Sequence, residues 1–176
     1  MRILIVSQYF YPENLNINNV AHLLKSHGHD VIILTGKPNY PSGKYFEGYG
    51  FFSKIVTDHN GITVLRLPIL PRGRKFRHIG LAINYMSFIV SALLLSPFIL
   101  RKKNFDVIFV YGTSPILKTI PAILIARIKK APLILWVQDL WPESIVSSGF
   151  YVPKFLLKFI DYTVRFIYKN SDLILC

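Results

Sequence analysis

A chain of 176 residues with 52% apolar and 14% aromatic content is long enough to close one hydrophobic core and too apolar to be disordered. Its 21 basic and nine acidic residues give a formal charge of +12, which narrows its partners to nucleic acid, anionic lipid or phosphate-bearing substrates. The single cysteine, Cys176, excludes an internal disulfide, and the start Met-Arg-Ile-Leu-Ile-Val lacks the pattern of a secretory signal.

The first apolar run, Arg2 to Ser7, reads as a strand buried on both faces. It empties into Gln8-Tyr-Phe-Tyr-Pro-Glu13, whose aromatics either pack on the loop or line a cleft. Asn14, Asn16, Asn18 and Asn19 open a helical pattern from Asn16 to His27 that Gly28 stops. One of them is expected to cap the helix, leaving the others to bond a polar ligand such as a sugar. Asp30 to Leu34 is a second strand. From Lys37 to Phe52 the chain is rich in Pro, Gly, Asn and Tyr, and breaks the strand–helix alternation. Lys54 to Thr57 and Ile62 to Leu67 follow, joined through Asn60-Gly61, the signature of a tight hairpin.

Next comes an uncharged run of 22 residues, Ile79 to Leu100, bracketed by Arg72, Arg74, Lys75 and Arg77 before it and Arg101, Lys102 and Lys103 after it. Three readings of it stay open: a crossover helix packed on a sheet, a helix with one face at a bilayer surface, and a membrane span. Asn84, Ser87, Ser91, Ser96 and Pro97 argue against the span. Asp106 to Val110 is a strand, Ser114-Pro115 is a favourable start for a helix running to Lys130, and Leu133 to Val137 is a strand. Val152 to Lys169 is a helix, and Ser171 to Cys176 reads as a further strand. Strands alternating with helices predict an α/β fold, a doubly wound parallel sheet with a β-hairpin insertion, as one domain over residues 1–176.

Elimination among the nine carboxylates narrows the chemistry. Asp30, Asp106 and Asp172 each precede an apolar run, at the edge opposite the functional one, and are structural. Asp58 belongs to the hairpin, and Asp161 sits mid-helix on a solvated face. Asp139, in Trp136-Val-Gln-Asp-Leu-Trp-Pro-Glu-Ser144, follows a strand and is the best catalytic or substrate-orienting candidate. The competing reading is a loop carboxylate that caps a backbone amide. Trp141 and Glu143 share that loop, although Glu143 could simply start a helical turn. Glu13 either binds substrate or supplies negative charge to the start of the first helix. In Tyr111-Gly-Thr-Ser-Pro115, Thr113 and Ser114 precede a helix and could meet an anion or hydroxyl. The five histidines show no metal-ligand spacing, so no metal is expected. Dinucleotide, P-loop and serine-hydrolase signatures are absent.

Several segments occur in a familiar order: Ser7-Gln-Tyr-Phe-Tyr-Pro-Glu-Asn14, Thr35-Gly-Lys-Pro-Asn-Tyr-Pro-Ser-Gly43, Gly61-Ile-Thr-Val-Leu-Arg-Leu-Pro68, Asn84-Tyr-Met-Ser-Phe88, Val110-Tyr-Gly-Thr-Ser-Pro115 and Trp136 to Ser144. Together they resemble the N-terminal half of bacterial GT-B retaining glycosyltransferases of family four, the fucosyl- or N-acetylfucosaminyl-transferase-like members that build O-antigen, capsule or colanic acid. The resemblance implies a Rossmann-like acceptor-binding domain. It also implies a C-terminal domain, expected beyond Cys176 or on a partner chain, that binds a UDP- or GDP-sugar. Catalysis would stabilise a departing diphosphate and an oxocarbenium-like sugar without a metal or other cofactor. The implied acceptor is a lipid-diphosphate-linked saccharide at the inner face of the cytoplasmic membrane, and no nucleic acid is involved. Asp139 takes the catalytic place. Glu13, Asn14, Asn18, Tyr40, Thr113, Ser114, Trp141 and Glu143 form the implied substrate-binding set. Relatives often carry Gly-Gly in the first loop, where this chain has Pro12-Glu13-Asn14, and a histidine where it has Gln138-Asp139. The alternative is a stand-alone membrane-surface binding module, or one subunit of a split enzyme.

Overall fold

A computed structural model describes residues 1–73, 77–144 and 153–176, with the side chains of 77 and 78 excepted. Among them, seven strands form one sheet in the order β3-β4-β2-β1-β5-β6-β7. The strands are β1 (Arg2–Val6), β2 (Asp30–Gly36), β3 (Val56–His59), β4 (Ile62–Leu67), β5 (Val107–Gly112), β6 (Leu133–Val137) and β7 (Leu173–Leu175). All pairings are parallel except β3 with β4. That antiparallel pair is the expected hairpin. Asn60 and Gly61 both adopt positive φ, 51° and 75°, and Asp58 accepts the Gly61 amide at 3.1 Å.

Helix α1 (Asn16–Ser26) lies on one face, with Ile17 and Ala21 against Ile3, Ile5 and Ile33. Helices α2 (Arg77–Ile99), α3 (Thr119–Lys129) and α4 (Lys154–Lys169) share the other face, over Leu4, Leu34, Leu65, Ile108 and Leu135. Alternation of side chains along buried strands feeds both cores, so the strands read as continuous apolar runs. The uncharged run is the crossover from β4 to β5, which must pass β2 and β1. At 1.5 Å per residue, a helix of 23 residues is about 34 Å long, ample for that diagonal. Its inner face (Phe88 and Ala92) is part of the core, with Leu100 just beyond its end.

Several details differ from the sequence reading. No asparagine caps α1: Leu15 holds the N-cap position without a side-chain bond. Ser114 does not start a long helix. A 3₁₀ turn (Ile116–Lys118) precedes α3, because the Ser114 amide and hydroxyl are both drawn to Asp139. The helix ends expected at His27 and Lys130 fall at Ser26 and Lys129. β2 and β5 extend to Gly36 and Gly112, and the hairpin's first strand is shifted to Val56–His59. The expected helix start at Val152 lies outside the described residues.

The aspartates before the apolar runs act at the N-terminal edge. Asp106 accepts the Arg2 amide at 2.7 Å, Asp172 accepts the Leu133 amide at 2.7 Å, and Asp30 pairs with the Arg2 guanidinium. Each fixes how a strand starts beside its neighbour. At the other end of β5, a Cβ on Gly112 would stand 2.6 Å from the Trp136 carbonyl oxygen. We therefore expect Gly112→Ala to destabilise the domain by about 1–3 kcal/mol, as overpacking does, and chemical denaturation of the variant checks this.

Candidate functional site

The chain reverses direction across the sheet between β1 and β5, and ligands of open α/β sheets gather at the carboxyl ends of strands at such a point. The loops after β1, β2, β4, β5 and β6 converge there and form three clusters.

The first joins the β5 and β6 loops. Asp139 Oδ2 accepts the Ser114 backbone amide at 2.6 Å and the Ser114 hydroxyl at 2.7 Å. Trp141 Nε1 donates to Ser114 Oγ at 3.1 Å. The Lys118 ammonium, fully buried under the same loop, donates to Thr113 Oγ1. Burial pushes the Lys118 amine down to about 7, opposed by the nearby Asp139 charge. Asp139 therefore does what the capping reading expects, and it remains half-buried at the mouth of the edge rather than sealed within it.

The second cluster is a clasp around Glu13. This buried carboxylate accepts the amides of Phe10 at 3.1 Å and of Asn39 and Tyr40 at 2.8 Å each. Burial raises its carboxyl to about 7, although those amides and Arg66 favour ionisation. Its role is thus to tie the β1 loop to the β2 loop, not to serve the α1 terminus. Asn18 completes the clasp: it accepts the Tyr11 amide at 3.2 Å and donates to the Glu13 carbonyl at 2.7 Å. Arg66, buried on β4, donates to the Tyr11 carbonyl at 2.6 Å, and buried Lys37 donates to the Ser53 and Lys54 carbonyls at 2.6 Å each. Desolvation lowers both cations, Lys37 to about 8.

The third cluster surrounds Arg72. Its guanidinium lies 4.8 Å from the Tyr40 ring centre, 5.2 Å from that of Tyr9 and 5.8 Å from that of Tyr85, and it donates to the Tyr9 hydroxyl. Below it runs a buried amide network. Asn84 of α2 accepts from Gln8 at 2.9 Å and from Tyr9 at 3.1 Å, and donates to the Leu70 carbonyl at 2.6 Å. Beside Arg72 opens a cavity of about 460 Å³ lined by Tyr40–Gly43, Arg72, Gly73 and Leu81. Gly43 is at φ +73°, and a Cβ there would stand 2.8 Å from the Gly73 carbonyl oxygen, so a side chain would part the two loops. Tyr85 lies within electrostatic reach of both Arg72 and Asp139, which links this cluster to the first. A cavity of similar size at the N-terminal edge, near Arg127 and Asp172, touches none of these groups.

The structure thus unites Asp139, Thr113, Ser114 and Trp141, and it sets Tyr40 against Arg72. Glu13 and Asn18 are internal fasteners. Asn14 and Glu143 are exposed, and Glu143 lies within electrostatic reach of Tyr168 on α4. Sequence reasoning did not single out Lys118, Lys37, Arg66, Arg72 or Asn84 as site residues. A lysine between apolar residues in Ile116-Leu-Lys-Thr-Ile120 and an asparagine inside an uncharged run were the available signals. Among the described residues, no three His, Cys, Asp or Glu side chains gather to hold a metal.

The sequence matches the model of the Glycosyl transferase 4-like domain over residues 15–176, and the chain belongs to that family. Its fold is the Rossmann-like α/β sheet described above. No curated protein matches it. Among solved structures, the SurE protein of Aquifex aeolicus aligns at 14% identity and a TM-score of 0.39, over 96% of this chain and 61% of that one. The chain therefore spans less than two thirds of that protein.

Lys118 supplies a test of this electrostatic arrangement. Its folded pKa is depressed, so the folded state binds fewer protons than the unfolded chain between about 7 and the ordinary lysine value, and stability rises with pH through that window. We expect Lys118→Met to stabilise the domain by about 1–4 kcal/mol at mildly acidic pH. The gain should shrink as pH rises past neutrality, and denaturation midpoints across pH check it.

Proposed function

We propose that this domain is the acceptor-binding half of a glycosyltransferase that moves a sugar from a UDP- or GDP-sugar to a lipid-diphosphate-linked saccharide, in bacterial surface polysaccharide synthesis. Its C-terminal partner, on the same polypeptide or another, binds the donor. The work is done peripherally, on the inner face of the cytoplasmic membrane.

One observation carries the reading: the charge at the carboxyl edge. Lys37 and Arg66 are buried there and Arg72 faces a cavity, against two carboxylates, Glu13 and Asp139, both held by main-chain amides. Buried cations in such excess favour an anionic ligand. Arg72 suits a diphosphate in particular. Its Nε is buried without a partner, and a phosphate oxygen would satisfy it. The cavity is of a size that takes a sugar diphosphate, and Tyr40 offers a ring face on its wall. Asp139, pinned to Ser114 through Oδ2, is oriented to position an acceptor hydroxyl. Departure of the nucleotide is left to groups on the donor domain.

Calorimetric titration with a short-chain polyprenyl-diphosphate-linked sugar tests this. Wild type should bind, and Arg72→Ala should bind roughly tenfold or more weakly, the cost of a charge-assisted hydrogen bond. Binding that ignores Arg72→Ala, or no binding at all, would sink the proposal. Turnover of a nucleotide-sugar by purified residues 1–176 would remove the claim that this half acts only with a donor domain.

A further inference from the structure

A crossover helix needs one apolar face, and α2 has two. Its inner side packs on the sheet, while Ile79, Ile83, Met86, Val90, Leu94 and Phe98 run along the outside at spacings of three or four residues. Ile79 and Leu94 are each 62% exposed and Phe98 is 72% exposed. Helix α4 repeats the pattern. Ile160, Val164 and Ile167 face the core, and the aromatics Phe155, Phe159, Tyr162 and Phe166 face outward, with Phe155 at 74% and Tyr162 at 70% exposure. Because α2 packs on α3 and α3 on α4, the two stripes lie on the outer side of one helical layer. Phe51 joins it at a groove of about 330 Å³ lined by Leu70, Val90 and Leu94, and the adjacent Phe52 is 96% exposed.

We propose that this layer is a docking surface for an anionic lipid bilayer, with α2 and α4 lying in the plane of the interface. The charges choose the occupant. Helices α2, α3 and α4 carry seven basic residues and one acidic residue, Asp161, which is already paired with Arg165. On α4, Lys154, Lys158, Arg165 and Lys169 form a stripe directly beside the outward aromatics. An apolar stripe next to a basic one is the arrangement that sinks rings into the acyl boundary while ammonium groups meet lipid phosphates. A second copy of the chain fits poorly, since a symmetric pairing would set like charges face to face. A spanning α2 fits poorly too: Asn84, Phe88, Ile89 and Ala92 are buried in the domain, and Asn84 is bonded to Gln8, Tyr9 and the Leu70 carbonyl.

The surface deepens the peripheral location proposed above and does not depend on sugar transfer. Vesicles without acceptor lipid are the probe, so this proposal and the acceptor reading fail in separate experiments. In co-sedimentation, the chain should partition onto phosphatidylethanolamine vesicles containing one-third phosphatidylglycerol, and far less onto phosphatidylcholine. The exposed double variant Phe155→Ser/Phe159→Ser and the exposed triple variant Met86→Ser/Val90→Ser/Leu94→Ser should each reduce partitioning by roughly tenfold or more, with melting temperatures near wild type. Lys154→Glu/Lys158→Glu should do the same at low salt. Equal binding to neutral vesicles, or indifference to all three variants, overturns the proposal. So does a dimer in light scattering that the stripe variants dissociate, or retention of the chain in alkaline-washed membranes as a spanning protein is retained.

Discussion

The carboxylate of Glu13 sets the geometry on which the rest of the carboxyl edge depends. Its three amide acceptances bind the β1 loop to the β2 loop, and they do so inside the protein, where an unmade hydrogen bond costs most. Because Asn39 and Tyr40 are held by their backbones, the Tyr40 ring is placed beside Tyr9 at 5.4 Å, and these are two of the three rings around Arg72. Arg66 reaches the same loop from β4 through the Tyr11 carbonyl, so three strands are joined through one short segment. Replacing Glu13 would leave three main-chain donors without an acceptor, and the cage would lose its support before any ligand was involved.

The same reasoning explains which parts of the molecule could be read in advance. Strands buried on both faces must be apolar throughout, so β1, β2, β5 and β6 announce themselves, and Asn60-Gly61 announces the hairpin because both positions need positive φ. Helix starts were harder. Ser114 has the chemistry of an N-cap, yet its hydroxyl serves Asp139, a residue 25 positions away, and local sequence carries no record of that distant competitor. The asparagines around the start of α1 misled for a similar reason, with Asn18 turned back to the Tyr11 amide and the Glu13 carbonyl. Of the site, Asp139, Ser114, Trp141 and Tyr40 were accessible because they follow strands. Lys37, Arg66 and Lys118 were not, because a cation in a sequence is presumed solvated unless its burial is known.

Lys37 and Arg66 also show how the edge keeps positive charge without exposing it. Both spend their donors on loop carbonyls, which fixes those loops and leaves the net charge in place. Such charges act through the low-dielectric interior and are screened little by salt. Arg72 differs in reaching the cavity itself. Internal cations set the potential and one half-buried cation makes contact, a division that favours an anionic ligand without presenting an open basic patch.

The apolar layer and the cavity meet on α2. Leu81 lines the cavity, whereas Ile79 and Ile83, two residues to either side of it, begin the outward stripe. If the stripe lies in a bilayer interface, the first turns of α2 mark where the boundary passes the protein, and Arg72 stands next to that level. A lipid-linked diphosphate presents its phosphates at the headgroup region with its chain in the acyl phase, so it would meet Arg72 without leaving the membrane. Asn84 then has a double use. It holds α2 on the sheet through Gln8 and the Leu70 carbonyl, and it supports the Tyr9 hydroxyl that accepts from Arg72. One buried amide thereby couples the angle of α2 to the placement of the guanidinium, so that on the two proposals membrane contact and acceptor recognition would be parts of one rigid unit.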